Sequence, residues 1–343
     1  MPPLRRFATL AMTAPGVVMQ KGSGDVMDWQ QWAEAAGVQT SKLEVRAPLA
    51  EERGKGGVFA SEAIAPMEVI ARIPRQLVLT ESSEFTSMSW ASALTASALM
   101  ATQADGSADE IVETQRAWIE SWTDGGWATD ASDLGNDEVR WGGRDVTGSL
   151  LATGSDNDKN IYAKFRFPCH PVVHRASLGL AALTGASNKD AMAALVNRGF
   201  AFRAMRDALI PLVATPSERP KGSLRDKRSW DVADMLSRVL SRATTLQLDR
   251  DGEAATSAVV PLHERLEHAD ARGENAKLVG LDPTGGEEVL LVATRAIEAG
   301  EAITRDYAAA PRLPDDASEG SLRLLLQFGL PPTAWSTPDS KLS

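Results

Sequence analysis

Two periods of apolar residues alternate along the chain and divide it into helical and extended stretches. Over SWDVADMLSRVLSRATTLQL, residues 229 to 248, the positions Val232, Leu236, Val239, Leu240 and Ala243 fall on one face of a 3.6-residue repeat. Ser229 is placed to cap this helix, and Asp231 lies in its first turn. The run HPVVHRASLGLAALTG has the same character, with Pro171 suited to a first turn and Gly185 to a stop. Residues 28 to 36 predict a short amphipathic helix in which Trp29 and Trp32 form a docking face. Residues 85 to 122 carry Ala, Ser, Met and Trp at mixed helical spacing, whereas residues 123 to 160 read as loops. Near the end, SEGSLRLLLQFG predicts a short buried helix between Ser318 as cap and Gly329 as stop.

The extended pattern occupies two flanks. In RGKGGVFASEAIAPMEVIARIPRQLVLT, residues 53 to 80, a glycine-rich turn feeds short apolar runs separated by Pro66 and Pro74, so a compact β-meander is expected. In AIEAGEAITRDYAAAP, residues 296 to 311, Ala299-Gly300 bends the chain, Ile303 alternates with polar neighbours, and Pro311 closes the run. Tyr307, one of two tyrosines, therefore belongs at a strand end. The flanks also echo one another. SEAIAPMEVI, residues 61 to 70, matches TRAIEAGEAI, residues 294 to 303, at Ala63/Ala296, Ile64/Ile297, Glu68/Glu301 and Ile70/Ile303. Two similar hairpins, one from each end of the domain, are the expected outcome.

Composition narrows the function. The 343 residues are 43% hydrophobic, enough for a sizeable core. Against 36 basic residues stand 46 acidic ones, a formal charge of -10, which argues against a nucleic-acid binder and favours a basic protein or peptide partner. A single cysteine, Cys169, excludes an internal disulfide and a thiolate zinc cluster. No apolar run approaches the roughly 18 residues of a membrane span. Before the first acidic residue, Asp25, the chain carries Arg5, Arg6 and Lys21, the composition of an organelle-targeting segment or of a basic tail. A plastid is the expected destination ahead of a mitochondrion.

Several candidate chemistries fail on their own spacing. His170 and His174 stand four apart, but Pro171 occupies the place of a zinc protease's glutamate and no third ligand is near. The run DNDKN begins like a calcium loop at Asp156, yet Ile161 and Phe167 replace its glycine and glutamate. Cys169 lacks the flanks of a cysteine protease, and no G-x-S-x-G elbow occurs. A hydrolase using His263 or His268 as base would have no paired nucleophile. Gly54-Lys55-Gly56-Gly57 precedes a strand where a phosphate loop requires a helix, so it marks close backbone approach. No metal is expected.

Taken in order, these segments resemble the SET-domain protein methyltransferases of the Rubisco large-subunit methyltransferase type, over residues 53 to 80 and about 229 to 330. RGKGGVFASEAIAPMEVIARIPRQLVLT looks like the first SET segment, LSRATTLQL like the helix with a Ser-Arg pair, and PLHERLEHA like the segment ending in an Asn-His signature. GEAITRDY looks like the strand that delivers the catalytic tyrosine, LRLLLQFGL like the closing helix, and GSLLATG like part of the insert. The resemblance implies an α+β fold, a β-rich SET core of short strands interrupted by a mostly helical insert. Its expected boundaries are a leader at 1–24, a first SET segment at 25–80, the insert at 81–255, a second SET segment at 256–335 and a tail at 336–343.

It further implies an S-adenosyl-L-methionine-dependent protein-lysine N-methyltransferase. Tyr307 would be catalytic, and Gly54, Gly56, Arg242, Glu267 and His268 would lie around the cofactor. Methyl transfer from a sulfonium is an in-line displacement, so a neutral amine must be held in near-attack geometry. Three positions depart from the family pattern: Glu267 stands where Asn is usual, Ala308 where glycine follows the tyrosine, and Thr244 where an aromatic is common. The helical domain by which larger members hold a protein substrate has no expected counterpart. The alternative expectation is a catalytically inactive SET-fold binding or structural subunit of an organellar assembly.

Overall fold

The computed structural model describes residues 28–46, 57–103, 109–122, 171–213, 227–247, 255–280, 287–314 and 316–328. Gly54, Gly56, Cys169, His170, Gly329, the Asp156 run, GSLLATG and the leader lie outside them. Helix α1 (Trp29–Ala35) starts where the Asp28 carboxylate accepts the Gln30 amide at 2.9 Å. Five short strands follow: β1 (Gln39–Thr40), β2 (Leu43–Arg46), β3 (Gly57–Ala60), β4 (Val69–Pro74) and β5 (Leu79–Thr80). The helices α2 (Trp90–Gln103), α3 (Glu110–Glu120), α4 (Pro171–Thr184), α5 (Asn188–Val213) and α6 (Lys227–Arg242) separate these from a second set of strands. That set is β6 (Thr244–Leu246), β7 (Thr256–Val259), β8 (Glu267–His268), β9 (Ala276–Val279), β10 (Glu288–Ala293) and β11 (Thr304–Arg305), and α7 (Gly320–Phe328) closes the described chain. The architecture is α+β, with several small sheets.

The strands of the first flank do not form a meander. β3 pairs with β2, β4 lies between β1 and β10, and β5 pairs with β7, so all of these partner strands lie outside residues 53 to 80. The cause is visible in β4, whose Ile70, Ala71 and Ile73 are all buried: an interior strand needs hydrogen-bonding neighbours on both edges, and the turn at Pro66 sends β3 elsewhere. β10 supplies one of those neighbours in antiparallel register, with Leu290 opposite Arg72 and a bulge between Leu291 and Val292.

The echo between the flanks is realised as mutual pairing of the two turns. Ile64 N donates to Ile297 O at 2.9 Å, and Ile297 N donates to Ile64 O at 3.0 Å. Met67 N donates to Ala293 O while its counterpart Gly300 N donates to Ala60 O, and Ala293 N donates to Glu68 O while Ala60 N donates to Glu301 O. Even the side chains repeat: Glu68 Oε2 accepts the Ala65 amide and Glu301 Oε2 the Glu298 amide, each at 2.9 Å. An approximate two-fold axis thus passes between Ile64 and Ile297, and it ties the beginning of the fold to its end.

The helices pack as the 3.6-residue pattern requires. Val232, Leu236, Val239 and Leu240 of α6, with Ala243 just beyond it, are all fully buried. Leu236 and Leu240 join Phe202 of α5 and Ala91 of α2, while Val232 joins Leu209, Ala96 and Leu99. Two helices differ from expectation at their ends. α6 starts at Lys227, before Ser229, and stops at Arg242, because Thr244 to Leu246 is taken into a strand beside β7, where β-branched residues pack well. α7 starts at Gly320, so Ser318 is not its cap; the Ser318 hydroxyl bonds Asp316 at 2.6 Å instead.

Candidate active site

Tyr307 is fixed by the elements on either side of it. Asn275, fully buried, accepts the Thr304 amide at 2.8 Å and donates to Ala302 O at 2.8 Å, which holds β11 in place. β11 runs parallel to β8, with Thr304 opposite Glu267 and Arg305 opposite His268. Past the strand, the Asp306 carboxylate accepts the Ala308 amide at 2.8 Å and starts a short 3-10 turn, Tyr307–Ala309. From α7, Arg323 donates to Ala308 O at 2.7 Å and to Ala310 O at 2.6 Å, and Gln327 donates to Pro311 O at 3.1 Å. The small alanines let α7 come this close. Its Phe328 ring then packs on Tyr307 with centroids 4.6 Å apart.

The phenol points inward. Its hydroxyl donates to Leu266 O at 2.9 Å, and the ring of His268 lies 5.1 Å away. His268 Nδ1 accepts the Tyr307 amide at 3.3 Å, which leaves the proton of the neutral ring on Nε2. Burial pushes the Tyr307 phenol up, with Arg305 and Arg242 pulling the other way, so the hydroxyl keeps its proton at neutral pH. Burial likewise holds His268 below the usual imidazole range, against the pull of Asp306 and Asp270.

The early glycine turn and the late tyrosine segment meet at Glu267. Gly57 has φ +154°, and a Cβ there would press on Glu267 Cγ and Oε1 at 3.3 Å. Side chains rarely adopt that backbone conformation, so glycine serves both the turn and the close approach. Glu267 is half-buried, and burial pushes its carboxyl up. Residues 57, 267, 268 and 307 therefore lie in one neighbourhood.

Beneath this surface lies a buried cluster of charge. Leu262, itself buried, takes φ +71° and ψ -48°, a strained conformation for leucine, and the 3-10 turn His263–Arg265 follows it. That turn directs His263 and Glu264 inward. Glu264 Oε1 accepts the Trp118 indole N–H at 2.9 Å and lies 3.5 Å from Arg265 Nε. Arg242 lies with its guanidinium 5.4 Å from the centre of the Trp122 ring and donates to Arg238 O and to Ser241 Oγ, each at 3.3 Å. Burial pushes its pKa down to about 10, and Glu264 opposes the shift. Arg305 sits over the Tyr307 ring, 4.6 Å from its centroid. Three guanidiniums, those of Arg242, Arg265 and Arg305, thus share one buried carboxylate. Both Arg242 and Arg305 act on the Tyr307 phenol.

Of the residues singled out in the sequence, Arg242, Glu267, His268 and Tyr307 converge here, and Gly57 represents the glycine turn in place of Gly54 and Gly56. His174, on the exposed side of α4, takes no part. Arg305, Glu264 and His263 as an inward-facing group carry no periodic signal, since they sit in short irregular segments. A buried charge between apolar neighbours, as in LHERL and ITRDY, is the one mark by which they stand out. Among the described residues no group of three or more His, Cys, Asp or Glu could hold a metal ion, and no helix is long and apolar enough to cross a membrane.

No family model and no curated protein matches the chain. Among solved structures it is similar to the SET domain of LSMT bound to lysine and AdoHcy, at 15% identity and a TM-score of 0.46, covering 89% of this chain and 57% of that one. It is similar also to Rubisco LSMT bound to AdoMet, at 14% identity and a TM-score of 0.43, covering 89% of this chain and 56% of that one. The chain thus spans less than two thirds of the length of those structures. A likeness this remote assigns neither a family nor an activity, so the functional reading rests on the side chains.

Proposed function

We propose that the chain is a SET-type enzyme that binds S-adenosyl-L-methionine and transfers its methyl group to a protein substrate at Tyr307, with a lysine amine as the acceptor the sequence resemblance implies. One observation carries this reading: Gly57, Arg242, Glu267, His268 and Tyr307, drawn from separate segments of the sequence, come together around a single phenol. The residues fit such a cofactor in part. Gly57 allows close backbone approach, the rings of His268, Tyr307 and Phe328 offer an aromatic wall, and Arg242 offers positive charge. Glu267 offers only acceptors where an amide would also donate, so an amine or ammonium group fits beside it better than a carbonyl does.

Bound S-adenosyl-L-methionine would supply a methyl group on a sulfonium sulfur. The chain's part is to hold the acceptor neutral and in line. The Tyr307 hydroxyl, anchored on Leu266 O, keeps a lone pair free to orient an amine or to accept polarised C–H groups. Surrounding guanidiniums and burial both disfavour an ammonium, which favours the neutral amine that methyl transfer requires. In a mass-spectrometric methyl-transfer assay, Tyr307→Phe should bind the cofactor as the native chain does but turn over about 100-fold more slowly. Unchanged turnover removes Tyr307 from the mechanism.

A second reading, a non-catalytic subunit of an organellar assembly, is favoured by the Glu267 side chain, which stands against Gly57 on ground the cofactor would need. It predicts no binding of S-adenosyl-L-methionine. The basic residues 5, 6 and 21 are compatible with delivery to an organelle, a plastid ahead of a mitochondrion, under either reading, and a fluorescent fusion of residues 1–24 tests it.

A further inference from the structure

Arg305 stands two residues before Tyr307, and the extended Asp306 between them sends both side chains to one side of the chain. Arg305 is 3% exposed, and its guanidinium lies 4.6 Å from the centroid of the Tyr307 ring. A guanidinium is flat and weakly hydrated, so it stacks on an aromatic face, and the contact strengthens where water is excluded. Hydrogen bonds do little to hold this one. Nη1 lies 3.4 Å from His263 Nδ1, while Nε and Nη2, like Glu264 Oε2, have no hydrogen-bond partner among the described residues. Burial pushes the Arg305 pKa down, and Tyr307 and Glu264 oppose the shift.

The Tyr307 ring needs such a contact to fix its plane. Its backbone holds one end and the 2.9 Å bond from its hydroxyl to Leu266 O the other, which leaves rotation about the axis between them open. Phe328 of α7 and His268 of β8 meet the ring at tilts of 42° and 43°, so neither lies flat against it. Filling space does not account for the arginine. A methionine would occupy the same room without adding a third guanidinium to those of Arg242 and Arg265, which already lean on the Glu264 carboxylate. Burial pushes the Tyr307 phenol up, Arg305 and Arg242 oppose the shift, and Glu267 adds to it. His268 is the remaining titratable group against the ring.

We propose that Arg305 is a positioning residue for Tyr307, whose ring plane it fixes with its guanidinium while Glu264 balances its charge. This deepens the methyl-transfer reading, and only the effect on turnover rests on that reading. The hold on the ring is independent of it.

The test is 19F resonance on the full chain carrying 3,5-difluorotyrosine, whose more acidic phenol titrates where the fold is stable. The chain has two tyrosines, so Tyr307→Phe assigns the signals by removing one set. A held ring gives its two fluorines separate lines, and a ring that turns over quickly gives one. The native chain should show two lines for Tyr307, and Arg305→Met should merge them and raise the phenol's midpoint by about one pH unit. Arg305→Lys keeps the charge without the flat face, so it should merge the lines yet leave the midpoint near the native value. Glu264→Gln keeps an acceptor for Trp118 but removes the balancing charge, so it should lower the midpoint by about one unit. A residue that merely fills space would not move the midpoint in opposite directions in the Arg305→Met and Glu264→Gln variants. Separate lines that survive Arg305→Met, or a midpoint that neither Arg305→Met nor Glu264→Gln moves, overturns the proposal. Should Arg305→Met not fold, Arg305→Lys and Glu264→Gln decide: merged lines in the first with a lower midpoint in the second support it, and no change in either overturns it. In the methyl-transfer assay Arg305→Met should bind cofactor as the native chain does and turn over about tenfold more slowly. A native chain that transfers no methyl group removes the methyl-transfer reading, while the fluorine lines still decide this one.

Discussion

Met67 and Gly300 occupy corresponding turns, with φ of +64° and +82°. Glycine adopts this region freely, whereas methionine pays a steric cost in it, and Met67 is 75% exposed and recovers little by burial. Met67→Gly should therefore stabilise the fold by about 1 kcal/mol in denaturant unfolding, and a loss of stability would contradict the equivalence of the two turns. Glu267 provides a test with a definite sign. Its carboxyl titrates above 4.5 in the fold because burial disfavours the anion, so the folded chain binds this proton more tightly than the unfolded one. The stability so gained is present below the unfolded value and is lost as pH rises through the folded value. Glu267→Gln should then raise Tm at pH 7 and leave it nearly unchanged near pH 4. A gain confined to acid would contradict the burial account.

At the scale of elements, what could be read from the sequence depended on length and on where each partner lies. α6 was legible because four of its apolar residues, with Ala243 just beyond it, repeat over about three turns, and the whole face is buried as the repeat requires. Strands of two residues, such as β8 and β11, are too short to show alternation, and β3 to β5 take partners outside their own flank, so the local pattern suggested a meander that pairing does not form. The echo between the flanks told more. Its first isoleucine pair, Ile64 and Ile297, is buried, and the two residues bond each other through both backbones. Ile64→Ala and Ile297→Ala should each cost about 3 kcal/mol, and the double variant less than their sum, because the two sites share one contact. Full additivity in a denaturant double-mutant cycle would mean that the turns do not support one another.

For the whole molecule, closure of the two flanks is what creates the candidate site. β4 against β10 and the mutual turns bring Gly57 beside Glu267, while α7, at the end of the described chain, presses Phe328 on Tyr307. That Arg242, His268 and Tyr307 should lie near one another was implied only by the resemblance of their segments to a known family, since no local pattern links them. The charge beneath them was not implied, because Glu264, Arg265 and Arg305 face inward only through the strained turn at Leu262 and the parallel pairing of β8 with β11. The measurement that bears most directly on the central claim is calorimetric titration of the full chain with S-adenosyl-L-methionine. Saturable one-site binding with a Kd below about 1 mM, weakened by Arg242→Gln and retained by Tyr307→Phe, is the predicted result. No binding at millimolar cofactor by a folded chain would contradict it and leave a structural subunit in its place.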